Sequence, residues 1–148
     1  MKTERQLSAG GVVFRPAGAT VEVALISTKG GKVWGLPKGR VEDGENIART
    51  AHREVREETG LDCKIIQNIG HIEYFFTFRD DNEVDFKRVF KIVYFFLMEY
   101  VSGDVSGHDA EVVDCKWFAL DEAISLMKYD DEKDILKKAK EALSRERG

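Results

Sequence analysis

The chain has no apolar run near the roughly 20 residues that a membrane-spanning helix needs. Its opening, MKTERQLSAGG, also lacks the apolar centre of a signal peptide. A cytoplasmic protein without membrane attachment is expected. Only two cysteines are present, Cys63 and Cys115. Each lies in a short apolar segment and neither belongs to a CxxC or Cys/His cluster, so free buried thiols are expected rather than a disulfide or a zinc site. An excess of basic charge is missing as well: 23 Lys+Arg against 27 Asp+Glu leave a net charge of -4. That balance opposes bulk nucleic-acid binding, which depends on neutralising phosphates. A small polyanion can still bind where positive charge is focused or where metal ions supply it. The Walker pattern GxxxxGK[ST] and the dinucleotide pattern GxGxxG are both absent.

What is present suits one domain spanning residues 1–148, long enough to bury a real core. Ser8 to Phe14 and Val21 to Ser27 are β-branched, apolar runs joined by the turn-like PAGAT, which predicts a hairpin. The glycine-rich KGGKVWGLPKGRVEDGE follows. From Asn46 to Thr59 the periodicity becomes helical, with Asn46 as N-cap and Gly60 as the stop. Beyond it lie a strand near Asp62 to Asn68 and two long aromatic strands, HIEYFFTF and RVFKIVYFFLMEYV, with RDDNEVD as the hairpin loop between those two. A strand over Glu111 to Phe118 and helices over Leu120 to Met127 and Glu132 to Ser144 complete the chain. Both faces of the aromatic strands are apolar, so an α/β architecture with helices covering both sides of the sheet is expected.

The helix carries the chemistry. Ile47, Ala48, Ala51 and Val55 form a narrow apolar stripe. Glu54, Glu57 and Glu58 fall within roughly a 100° arc on one side of it, with Arg49, Arg53 and Arg56 on the other. On an exposed helix such crowding costs only a few tenths of a kcal/mol per pair, and a solvated acidic face is the ordinary reading. If the face is half buried, repulsion rises toward a few kcal/mol per pair, and divalent cations become the natural compensation. An oxygen-only donor set suits Mg²⁺ or Mn²⁺ better than zinc. The preceding loop adds Gly30, Gly31, Gly35, Gly39 and Gly44, which allow close backbone approach, and the cations Lys32, Lys38 and Arg40.

Residues 39 to 61, GRVEDGENIARTAHREVREETGL, match the Nudix hydrolase signature G-x5-E-x7-R-E-U-x-E-E-x-G-U, where U is a bulky aliphatic residue. Gly39, Glu45, Arg53, Glu54, Val55, Glu57, Glu58, Gly60 and Leu61 fill every specified position. The chain therefore resembles the Nudix hydrolases, and the order of its elements suits that family's α/β/α sandwich with a mixed β-sheet. The resemblance implies Mg²⁺-dependent attack of water on phosphorus in a nucleoside diphosphate linked to another group. It implies Glu54, Glu57 and Glu58 as metal ligands, joined by the Lys38 carbonyl. Arg53 and Glu45 are implied as supports, and Glu54 or another carboxylate as the group that activates water. A pyrophosphate transition state spreads charge over nonbridging oxygens, so positioning and neutralisation are the work such a site must do.

Outside the signature, WGLPKGRVEDGE and the aromatic hairpin resemble the dinucleoside polyphosphate branch, especially bacterial diadenosine tetraphosphate hydrolases that form ATP and AMP. On that resemblance Lys38, Arg40 and Lys91 face phosphates, and Tyr74 or Phe76 stacks on adenine. Core packing is the ordinary role for such strand aromatics. A further metal-binding carboxylate is implied on the loop GHDAEVVDCKWF, where Glu111 is preferred to Asp109 and Asp114. The other readings are a pyrophosphatase that sanitises oxidised nucleoside triphosphates, a diphosphoinositol polyphosphate hydrolase, and a nucleotide sensor without catalysis. The expected partner is a small nucleotide, with no nucleic acid or membrane, and the chain acting as a monomer or homodimer.

Overall fold

The computed structural model describes residues 3–28 and 33–147. Gly30, Gly31 and Lys32 lie outside them. Among the described residues seven strands form one mixed sheet, in the order β3-β2-β1-β6-β5 with β4 paired to β1 and β7 paired to β2. The strands are β1 (Thr3–Ala17), β2 (Thr20–Thr28), β3 (Val33–Gly35), β4 (Lys38–Arg40), β5 (Leu61–Phe78), β6 (Lys87–Gly103) and β7 (Asp114–Ala119). The helices are α1 (Ile47–Thr59), α2 (Leu120–Leu126) and α3 (Asp130–Arg147). Among the described residues only β1 and β6 run parallel, from Thr3↔Arg88 to Phe14↔Glu99.

The period-2 alternation of the strands divides the core in two. Val12, Phe14, Val23, Leu25, Val93, Phe95 and Leu97 face one way and pack with Leu120, Ala123, Ile135, Leu136 and Ala139 of α2 and α3. Ala9, Val13, Ala24, Ile26, Phe96 and Met98 face the other way and receive Ala51 and Val55 of α1. Each fully buried valine or leucine there contributes about 1.5–3 kcal/mol. The expected sandwich is thus present, with α1 on one layer and α2 and α3 on the other. Cys63 and Cys115 are free and buried in the α1 layer. Burial pushes both thiols up to about 12, so neither is an available nucleophile.

Helix α1 begins and ends where the sequence directs. The Asn46 side chain accepts the N–H of Arg49 at 2.9 Å. Gly60 stops the helix at φ 78°, and its N–H donates to the Arg56 carbonyl. A Cβ there would also come within 2.5 Å of the Asp104 carbonyl oxygen, so any side chain is excluded twice. Three sequence expectations differ from the structure. The strands expected at 62–68 and 71–78 are one continuous β5, kept whole by bulges at Asp62/Cys63, Ile65/Gln67 and Asn68/Gly70 that let the edge strand re-register. The glycine-rich loop contains β3 and β4, too short for a periodic signal. Finally, β7 starts only at Asp114, because Asp109 to Val113 form a turn closed by the Val112 N–H on the Asp109 carbonyl.

Strand β4 is held close to β1 because Gly10 has no side chain. A Cβ on Gly10 would overlap the Pro37 carbonyl oxygen and lie 2.7 Å from the Lys38 Cβ. Backbone on both sides cannot yield cheaply. Gly10→Ala is therefore expected to cost about 1–3 kcal/mol in urea unfolding, and an unchanged midpoint would show that β4 shifts freely.

Candidate active site

The close approach of β4 sets the site. Ser8, Ala9 and Gly10 pair antiparallel with Arg40, Gly39 and Lys38, which brings Gly39 against the acidic face of α1. A Cβ on Gly39 would overlap the Glu54 carboxylate itself. The neighbouring Lys38 N–H donates to Glu58 Oε1 at 2.7 Å. Two of the three glutamates are thereby fixed against one three-residue strand.

Arg53 is the hub beneath them. Its Nε and Nη2 donate to Glu45 at 2.6 and 2.9 Å, its Nη1 to Glu54 at 2.7 Å, and its Nη2 also to the Arg40 carbonyl at 3.1 Å. The exposed Glu57 carboxylate lies 3.4 Å from Nη1. On the helix surface Arg53 is an i,i+4 neighbour of Glu57, and its long side chain also reaches Glu54 and Glu45. Glu45 further accepts Thr50 Oγ1 at 2.9 Å and the Glu42 N–H at 3.0 Å. The Arg53 guanidinium, followed by the Glu42 backbone, holds the Glu45 carboxyl down at about 2. In return Glu45, then Glu54, raises the already high pKa of Arg53.

The carboxylates above it are in the opposite condition. Burial pushes Glu58 up to about 7, opposed by the Lys38 N–H and reinforced by Glu54 and Asp109. Burial also raises Glu54; Arg53 opposes the shift, and Glu57 and Asp109 add to it. Among the described residues no three acidic, histidine or cysteine side chains close around one point as a metal-binding group. Glu54 and Glu57 turn toward Arg53, and Glu58 toward the Lys38 N–H. The donor set nevertheless fits a hard divalent cation: carboxylate oxygens only, two of them burdened by buried charge, with Glu54 seated against the bare Gly39 backbone where any side chain would displace it.

The loop acid beside this cluster is Asp109 rather than Glu111. Asp109 donates its N–H to the Glu57 carbonyl at 2.9 Å, and its charge acts on both Glu54 and Glu58. Glu111 is exposed and donates its N–H to Asp109 Oδ1 at 3.2 Å. The preference for Glu111 does not foresee this, because the 109–113 turn returns the earlier acid to the helix.

Next to Glu58 opens a cavity of about 390 Å³, whose wall includes Lys38, Arg40, Lys91, Lys128, Trp34, Tyr129 and Glu132. Lys91 is half buried, and burial followed by Lys38 and Arg40 lowers its pKa. Four cations thus meet at one concavity of a protein with negative net charge. Tyr74 is the cross-strand neighbour of Lys91 and packs against the α3-side core. Burial raises its hydroxyl, with Lys38 and Glu132 close enough to contribute. Its ring lies 6.1 Å from that of Phe76. Neither Tyr74 nor Phe76 lines the cavity; the aromatics that do are Trp34 and Tyr129. Long-range packing alone brings Lys128, Tyr129 and Glu132 to the site, whereas Trp34 opens the WGLPKGRVEDGE stretch that holds Lys38 and Arg40.

Fold and site together define an α/β domain with an acidic helix set against a cation-lined cavity. The NUDIX domain family model matches residues 4–139, and the chain belongs to that family. It is 34% identical over 151 residues to a Mycobacterium tuberculosis protein named for a mutator, MutT4, covering 98% of this chain but 58% of that protein's length. It is 30% identical to the asymmetrical bis(5'-nucleosyl)-tetraphosphatase of Sus scrofa, covering 83% of this chain and 81% of that one. Among solved structures, a binary complex of a C. elegans Ap4A hydrolase superposes with a TM-score of 0.73 at 25% identity, covering 94% of this chain and 98% of the other.

Proposed function

We propose that this chain is a metal-dependent pyrophosphohydrolase that cleaves diadenosine tetraphosphate asymmetrically to ATP and AMP. The observation that carries the reading is the meeting, at Glu58, of a carboxylate cluster with a cavity walled by Lys38, Arg40, Lys91 and Lys128. A long polyphosphate needs both: cations for the phosphates that stay, and carboxylates at the bond that breaks. The names of the pig relative and of the nematode structure support the same substrate.

Glu54, Glu57 and Glu58, with the Lys38 carbonyl and Asp109, would hold Mg²⁺ or, in its place, Mn²⁺, which supplies charge neutralisation and an acidified water. The chain's own residues do the rest. Arg53 aims Glu54 and, through the Arg40 carbonyl, ties α1 to β4. Glu45 keeps Arg53 in place. Lys38, Arg40 and Lys91 face the nonreacting phosphates, where fixed charges need no reorganisation as the bond breaks.

The mutator name of the mycobacterial relative favours a second reading, a pyrophosphatase for oxidised nucleoside triphosphates. Product chromatography after incubation with Mg²⁺ separates the two. ATP and AMP from diadenosine tetraphosphate are expected; pyrophosphate and a monophosphate from an oxidised triphosphate, with the tetraphosphate left intact, would replace the first reading by the second.

A further inference from the structure

Glu132 lies in the first turn of α3, on the layer opposite α1, and is only 6% exposed. Its Oε1 accepts the Leu36 N–H at 2.8 Å, and its Oε2 lies 3.5 Å from Lys38 Nζ. The Asp131 side chain accepts the N–H of Glu132 at 2.8 Å and fixes the turn. The Glu132 carboxylate lies against the Gly35 backbone, where a Cβ would stand in ordinary contact at 3.4 Å from Oε1. Lys38 is thus held at two ends, its backbone N–H by Glu58 of α1 and its ammonium by Glu132 of α3. A buried carboxylate is costly unless its partners satisfy it, and both partners here belong to the segment that shapes the cavity.

We propose that Glu132 is a positioning residue: it holds the Lys38 ammonium toward the cavity and, through the Leu36 N–H, fixes the segment that presses the Lys38 backbone onto Glu58. This rests on the cavity being the polyphosphate site. Anchoring of α3 to the sheet would need the Leu36 bond alone, whereas positioning also needs the charge facing Lys38.

Glu132→Gln separates the two, because the amide oxygen still accepts from Leu36 while the charge is gone. Removing a negative charge beside an anion site should by itself tighten polyphosphate binding. Losing the placement of Lys38 should weaken it, so the two accounts differ in sign. Calorimetric titration with inorganic tripolyphosphate is expected to show about tenfold weaker binding in Glu132→Gln, with KM raised and kcat changed less. The loss should not deepen when Lys38→Met is added. Tighter tripolyphosphate binding, losses that add in the double variant, or a wild-type protein that does not bind tripolyphosphate would each overturn the proposal. Hydrogen exchange at the Leu36 amide tests the structural half without substrate. It should accelerate at least about tenfold in Glu132→Ala and stay near wild type in Glu132→Gln; unchanged exchange in Glu132→Ala would also overturn it. A protein that hydrolyses no nucleotide yet shows these binding and exchange changes would sink the proposed reaction and leave Glu132 in its role.

Discussion

Glu58→Gln should make the metal-free protein more stable at pH 8 while extinguishing hydrolysis. The Glu58 carboxyl titrates at about 7 in the fold against an ordinary value of 4.5, chiefly because it is buried. The folded state therefore favours the protonated form. Stability from this group is fully present below pH 4.5 and is lost as pH rises through about 7, the reverse of a salt-bridged acid. At pH 8 the ionised group burdens the fold by on the order of 2–3 kcal/mol, with its residual exposure favouring the lower figure. Glutamine removes that burden and keeps an acceptor for the Lys38 N–H. Without added metal, a melting temperature several degrees above wild type is expected at pH 8, converging with wild type near pH 4.5. Activity should drop by more than about a hundredfold, since the variant loses a charge the site needs. Saturating Mg²⁺ should stabilise wild type more at pH 8 than at pH 5.5, where protons compete for Glu58, and should stabilise the variant less. A variant that melts lower than wild type at pH 8 would show that the Lys38 contact, not charge burial, governs this position.

Gly39→Ala should share the large loss of rate but carry a small cost in stability instead of a gain. The added methyl would occupy the space of the Glu54 carboxylate. That carboxylate ends a flexible side chain and can swing away, so the fold should lose less than about 1 kcal/mol. It cannot swing away and keep its 2.7 Å bond from Arg53 or its place beside Glu58. A fall in kcat of about a hundredfold or more, with weaker Mg²⁺ dependence, is expected, because small misplacements of a catalytic group are costly. Near wild-type kcat in Gly39→Ala would mean that the strand does not aim Glu54. Gly10→Ala makes the contrast: there the added methyl meets backbone, and stability is the property expected to suffer.

The helix was legible because its information is local. Asn46, Gly60 and the apolar stripe each act within a turn or two of their own position, and all behave as expected. Arg53 is implied as a support of the carboxylates and lies among them, but its bonds to Glu45 and to the Arg40 carbonyl depend on where its long side chain ends, which a wheel does not record. Asp109 and Glu111 differ by two residues, and only the turn that closes at Val112 decides which meets the carboxylates. Tyr129 and Glu132 leave no local trace at all. Glu132 meets Leu36 across 96 positions of chain, a pairing that no spacing rule can find.

The parallel pairing of β1 with β6 bears on how the chain comes to fold. Its first partners, Thr3 and Arg88, are 85 positions apart by number (88 less 3). The local hairpin of β1 with β2 and the capped helix α1 can form early, but neither has its full sheet face until β6 has left the ribosome. Closing so long a loop must precede the contacts that reward it. Through that interval the apolar stripe of α1 has only half a surface to rest on. The carboxylates on its other flank would keep such a helix in water until β6 arrives.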